Sequence, residues 1–190
     1  MNRTVLRVPE PALLPGYTAA LERGWSPNTM RPEAAQEQLA AIARDAAGFV
    51  AGLTDPEARG GPVTLPDGSS AARLPGRTFW VWDAADDAFC GSINLRWQIG
   101  TPALPPHVLG HLGYAIVPWQ RRRGHATAAL RELLPLARAE GLPYVDATTD
   151  EDNFASQRVL EANGGVLIGR LQPPPSMGKS VVLRYRFVLD

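Results

Sequence analysis

Apolar and polar positions along the chain follow two rhythms. Runs that alternate, or that are rich in β-branched and aromatic residues, cover residues 4–8, 78–83, 88–97, 108–117, 144–149, 166–170 and 180–189, and each reads as a strand. The clearest is the pair 78–83 and 88–97, where Ile93, Leu95 and Trp97 alternate with Ser92, Asn94 and Arg96 on either side of a hairpin. Helical spacing appears in 13–22. It recurs in 33–50, through Ala35, Leu39, Ile42, Ala46 and Phe49 or Val50, and in 126–140, through Leu130, Leu133, Leu134 and Ala137. Pro135 predicts a kink in the last of these, and Gly141 ends it. A further helix closes at Asn163-Gly164. The order is strand, two helices, three antiparallel strands, helix, strand, helix and two strands. It predicts an α+β domain around a mixed, mostly antiparallel central sheet flanked by helices.

Between these elements, residues 51–77 are rich in Gly, Pro, Asp and Ser and read as a long surface loop. A loop of that length is expected to be mobile or to fold over an acceptor. Length changes the picture little: 190 residues, 45% of them hydrophobic, suit one domain over 1–190 with one core. The 19 basic residues balance 19 acidic ones, so no global field draws the chain to nucleic acid or to an anionic membrane. A single cysteine, Cys90, excludes an intrachain disulfide. With three histidines it also argues against a structural zinc site. No leader-like or membrane-length apolar run is present, and the expectation is a soluble cytoplasmic protein, monomer or homodimer. Cys90 reads as a small core residue, since the sequence places no basic partner beside it.

The candidate chemistry lies where the strand 114–117 stops at Pro118 and a helix begins near Ala126. Arg121, Arg122, Arg123 and Gly124 fill the interval. Cations at the positive end of a helix macrodipole are unfavourable until an anion arrives. A glycine turn with small Ala126 behind it lets first-turn N–H groups reach phosphate oxygens. The alternative is a solvated basic loop.

Two motifs separated by a strand favour the anion site. Arg121-Arg122-Arg123-Gly124-His125-Ala126 matches a Gln/Arg-x-x-Gly-x-Gly/Ala loop, and Asn153-x-x-Ser156 through Asn163-Gly164 matches a second helix. Over about residues 79–170 the chain resembles the GNAT superfamily of acyl-CoA N-acyltransferases. The resemblance implies a three-layer α+β domain whose central sheet splays at the cofactor site, with acetyl-CoA as co-substrate. It implies cofactor contacts from Ile116, Val117, Arg121, Arg122, Arg123, Gly124, His125, Ala126, Thr127, Asn153 and Ser156. It also places Trp25 and its neighbours on the acceptor side, where core packing is the competing role.

Acetyl transfer to a primary amine of a small molecule, peptide or protein needs the amine deprotonated. At pH 7 that costs about 4 kcal/mol for a pKa near 10. His111, ten residues before Arg121, stands where many such enzymes carry a glutamate on the same strand, and a neutral imidazole can accept the proton. A histidine hydrogen-bonded across the sheet is the other reading. Leu160 stands where many members carry a tyrosine acid, which leaves Tyr114, a catalytic candidate by topology, or Tyr144 to supply a hydroxyl. Gly165 replaces the usual aromatic. A silent acyl-CoA-binding module and a different phosphate binder are the alternatives, although the nucleotide-binding loop patterns Gly-x-x-x-x-Gly-Lys-Ser/Thr and Gly-x-Gly-x-x-Gly are both missing.

Overall fold

The computed structural model describes residues 3–29, 31–65, 67–175 and 181–189. The chain opens with β1 (Thr4–Arg7), then α1 (Leu14–Glu22), α2 (Ala34–Arg44) and α3 (Ala46–Gly52). Short strands β2 (Thr54–Asp55), β3 (Val63–Thr64) and β4 (Ser70–Ala71) follow, and then the longer β5 (Gly76–Asp83), β6 (Ala88–Arg96) and β7 (Leu112–Ile116). Next come α4 (His125–Ala139), β8 (Tyr144–Asp150), α5 (Phe154–Glu161), β9 (Val166–Leu171) and β10 (Val182–Val188). One sheet has the order β1-β5-β6-β7 with β2 against β5, and a second has the order β8-β10-β9. The α+β class and the order of the long elements are those the sequence predicts.

Three local features depart from the pattern. The helix expected over 33–50 divides at Asp45, whose extended backbone (φ −155°, ψ 88°) leaves helical space. Its carboxylate caps α3 by accepting from the Gly48 N–H at 2.9 Å, so an amphipathic period continues across a break that a capping side chain stabilises. The stretch expected as an open loop is folded. β3 pairs with β4, Asp55 accepts from the N–H groups of Arg59 and Gly60 at 2.8 and 2.9 Å, and Arg73 donates to the Gly61 carbonyl at 3.0 Å. α4 spans Pro135, which lies on its exposed side. The closing strand expected from residue 180 starts at Val182, and residue 180 lies outside the described residues.

The chain forms two compact units. The first holds the segment through Thr54, Arg77–Asn94 and Tyr114–Glu132. Its core is aromatic: Tyr17 of α1 stacks on Trp80 of β5 at 5.0 Å between ring centroids and meets Trp25 and Phe89 edge-on. Leu14, Leu21, Val50 and Val117 fill the space around them. Trp25 is buried in this cluster, the core-packing role weighed above. The second unit holds Asp55–Gly76, Leu95–Gly113 and the chain from Leu133 onward. There β10 pairs antiparallel with both β8 and β9. One face, with Val145, Ala147, Leu183, Tyr185 and Phe187, is buried. Tyr185 donates to Glu161 of α5 at 3.1 Å, which places α5 on that face.

Candidate functional site

The basic turn belongs to the first unit. Val117 closes β7 with its N–H donated to the Cys90 carbonyl at 2.9 Å and its own carbonyl accepting from Gln120 N–H at 3.0 Å. Of the two residues expected to pair with a pantetheine chain, Val117 therefore has its one donor already committed to Cys90. Ile116 carries the strand edge, and its carbonyl accepts from Arg121 Nε at 3.2 Å. A 3₁₀ turn over Pro118–Gln120 follows, and then Arg122 at φ 60° and Gly124 at φ 82° turn the chain into the first residue of α4. Gly124 is needed there, since any side chain is strained at that φ. The first four N–H groups of a helix have no intrahelical acceptor, and α4 delivers them behind an exposed turn.

The three arginines divide by role. Arg123 donates to Asp86 at 3.0 Å and to Asp83 at 3.5 Å, and these carboxylates raise its pKa above the ordinary guanidinium value, the Asp86 hydrogen bond most of all. Arg121 braces the strand end. Arg122 is exposed and forms no ion pair among the described residues. Arg23 adds a further cation, its guanidinium 3.4 Å above the ring of Trp119. Arg23 and Trp119, with Trp82 and Phe89, line a groove of about 350 Å³ that none of the three turn arginines enters.

His125 does not face that groove. It is 2% exposed, with Nδ1 2.8 Å from Thr4 Oγ1, and Nε2 3.7 Å from Cys90 Sγ and 3.9 Å from Asp83 Oδ2. The expected contact with cofactor or solvent is replaced by a buried anchor that ties the start of α4 to β1 and β6. Cys90 therefore does have a basic neighbour, supplied by a residue 35 positions along the chain. Burial first, and the charge of Asp83 second, push its thiol pKa up to about 11. A protonated, buried thiol is a packing group.

His111 belongs to the second unit and is 1% exposed. Its Nδ1 accepts from Asp146 N–H at 3.0 Å, which leaves the proton on Nε2, donated to the Pro102 carbonyl at 3.0 Å. Its own N–H bonds the Asp146 carbonyl at 2.7 Å, and its carbonyl accepts from Arg96 N–H at 2.7 Å. Gly110 permits the approach, because a Cβ there would lie 3.0 Å from the Asp146 carbonyl oxygen. Burial holds the imidazole pKa below its ordinary value. This is the geometry of the cross-sheet alternative.

Beside it, Asp146 is fully buried and receives both Arg184 and Arg186. Burial works to raise its pKa, but the hydrogen bonds from Arg186 and Arg184 outweigh that and hold it below the usual carboxylate value. Arg186 lies 3.7 Å above the Tyr144 ring. The sequence reading missed this cluster, although the alternation Arg184-x-Arg186 in a strand places two cations on one face. Asn153 caps α5, accepting from Ser156 N–H at 3.1 Å. Leu160 is buried, and Tyr114 is partly exposed on β7. No helix among the described residues is long and apolar enough to cross a membrane.

The chain has counterparts among known proteins. Its fold is similar to that of the microcin C7 self-immunity acetyltransferase MccE, solved with acetyl-CoA and AMP (TM-score 0.64, 11% identity, 99% of this chain and 93% of that one). It is likewise similar to a chimera of the spermidine N-acetyltransferase of Vibrio cholerae with hSSAT (TM-score 0.61, 15% identity, 98% and 96%). A third is the ribosomal-protein-S5-alanine acetyltransferase of Vibrio fischeri (TM-score 0.58, 16% identity, 100% and 95%). No curated protein sequence matches the chain significantly. The profile of the acetyltransferase (GNAT) domain matches residues 3–166, and the chain belongs to the GNAT acetyltransferase family.

Proposed function

We propose that the protein takes acetyl-CoA as donor, holds its pyrophosphate on the turn 121–127, and transfers the acetyl group to a primary amine by direct attack. The observation that carries this reading is the turn itself: two departures into positive φ, at Arg122 and Gly124, immediately before the N-terminus of a 15-residue helix, with Arg121 and Arg122 exposed. Backbone N–H groups and cations converging on one spot fit a diphosphate. The binding of acetyl-CoA and CoA by structural neighbours supports the donor.

When bound, coenzyme A supplies the acetyl group as a thioester. The chain's part is to hold it and to admit the amine. The Ile116 end of β7 offers the strand edge, and the turn and α4 offer the anion site. The amine lone pair forms the C–N bond while the C–S bond breaks, and the sulfur keeps that electron pair. We infer that the amine proton leaves to water, because both ring nitrogens of His111 are occupied by backbone partners. Turnover then rises with pH toward the pKa of the acceptor. Tyr114 is the candidate to hydrogen-bond the departing sulfur.

The test is calorimetric titration of coenzyme A into the protein and into Gly124→Asp. The substitution forces a side chain into the φ 82° position and puts a carboxylate where phosphate is bound. Affinity is expected to fall at least about 100-fold, as for loss of several charge-assisted hydrogen bonds, with the circular dichroism spectrum unchanged. Equal affinity for the two proteins would overturn the assignment.

A further inference from the structure

Cys90 touches the basic turn at both of its ends. Its carbonyl accepts the Val117 N–H at 2.9 Å where β7 stops, and its sulfur lies 3.7 Å from His125 Nε2 where α4 starts. The chain between them, residues 118–124, is a loop closed on one residue of β6. Gly91 lets β6 come this near, because a Cβ there would run into the Ala115 carbonyl and lie 2.9 Å from Ile116 Cα. The closure at Val117 is made by backbone groups. The closure at the helix start needs the imidazole.

Three strands surround that ring. Thr4 of β1 and Asp83 of β5 are Cα partners in the β1–β5 register, and the ring lies beside both, with Nδ1 2.8 Å from Thr4 Oγ1 and Nε2 3.9 Å from Asp83 Oδ2. The carboxylate favours a proton on Nε2, so Nδ1 accepts from the Thr4 hydroxyl. Asp83 also receives Arg123 of the turn at 3.5 Å. The first N–H bonded within α4 is that of Ala128, to the Gly124 carbonyl at 3.0 Å. The N–H groups before it, that of His125 among them, lack an intrahelical acceptor and are the ones the turn offers to a diphosphate. Ala126, Ala128 and Ala129 in the same helical turn carry only methyl groups and cannot bond across to the strands. The buried ring therefore fixes the direction of those N–H groups before a ligand arrives.

We propose that His125 is a positioning residue of the donor site: it touches no substrate, and by tying the start of α4 to Thr4 and Cys90 it holds the turn in the shape that takes the diphosphate. The inference rests on the acetyl-transfer reading and adds to it a side chain that sets donor affinity from behind the turn. A site already in its binding shape avoids the cost of ordering on binding. A turn that is competent only about a tenth of the time binds with a Kd about tenfold larger.

The test titrates coenzyme A calorimetrically into the wild type, His125→Ala, His125→Asn, Thr4→Val and the double variant Thr4→Val/His125→Ala, each well below its own Tm. The expected Kd is about tenfold or more larger in His125→Ala and about threefold larger in Thr4→Val, which loses one hydrogen bond to the ring. The double variant should bind no more weakly than His125→Ala, since both changes remove the same tie. His125→Asn, whose side-chain oxygen can accept from Thr4 in place of Nδ1, should recover most of the affinity. Variants that lose Tm yet bind coenzyme A as the wild type does would make His125 a packing residue and overturn the proposal, as would additive losses in the double variant. If His125→Ala does not fold, Thr4→Val decides, and an unchanged Kd there overturns it. Wild-type protein that binds no coenzyme A would instead remove the transfer reading, and this proposal with it.

Discussion

The turn around Gly124 and the cluster around His111 are built from the same residue types and used in opposite ways. Each combines a buried histidine, arginines and a buried aspartate. At the turn the histidine is pushed inward, against Thr4, Cys90 and Asp83, and the backbone is pushed outward. At the cluster the histidine consumes backbone groups, one N–H and one C=O, and two arginines are left facing out. A histidine's role follows from how many ring nitrogens the fold leaves unoccupied, and His111 has none. In both places the arginines reach the surface while the histidines are buried. The histidines mark the side that holds the structure.

The hardest test of that contrast is His111→Ala. Removal strands the Asp146 N–H and the Pro102 carbonyl in a buried place, each costing about 1–3 kcal/mol, and leaves a cavity as well. The expected loss is about 3–5 kcal/mol, a drop of roughly 6–20 °C in Tm for a chain of this size. The kcat at a temperature where the variant is folded should fall less than about tenfold. A general base would show the reverse, a loss of about 10²–10⁴-fold that shrinks at high pH, with little change in Tm. Thermal melts and a pH–rate profile on one preparation separate the two.

Acidity gives a second, smaller handle. Burial depresses both His111 and His125 in the folded state. Below about pH 6.5 the unfolded chain takes up protons that the folded chain resists. Their contribution to stability is therefore complete above the unfolded pKa and lost as pH falls. Cys90 works in the other direction: its folded pKa is raised to about 11, so its contribution is complete below the unfolded value near 8.5 and lost as pH rises. Stability should be flat between about pH 7 and pH 8.5 and decline on both sides. Cys90→Ala should remove much of the alkaline decline, and His111→Gln part of the acidic one. An acid limb unchanged in His111→Gln would place the protonation elsewhere.

The sequence exposes the turn and hides the clusters for one physical reason. The role proposed for the turn depends on backbone shape, and Pro118, Gly124 and the small Ala126 announce that shape locally. His125 is one position from Gly124, yet its partners Thr4 and Cys90 lie 121 and 35 residues away, and no local pattern encodes them. The same applies to His111: the pattern reads it onto a strand over 108–117, whereas β7 begins only at Leu112 and His111 stands one residue before it, with a ring direction that no local pattern encodes. Asp45 is an intermediate case. Its cap on Gly48 is a short-range signal, but the helical period continuing through it masks the break. Val117 shows the limit of a motif: the position matches, and its N–H is already given to Cys90.

The finest distinction lies within the turn, between Arg122 and Arg123. Adjacent in sequence, they differ in what holds them: Arg123 is clasped by Asp83 and Asp86, whereas Arg122 is exposed with no ion pair among the described residues. A guanidinium already shared between two carboxylates has less charge to offer a diphosphate, and drawing it away would leave Asp83 without one of its cations beside the buried His125. Arg122→Gln should therefore weaken coenzyme A binding about five- to tenfold, with affinity in the wild type falling more steeply with salt than in the variant. Arg123→Gln should weaken it only about twofold, in line with the small effect of exposed ion pairs. Titrations at two salt concentrations on both variants decide the order. A larger loss at Arg123 would mean that the clasp opens on binding and that Asp83 and Asp86 store the cation for the ligand.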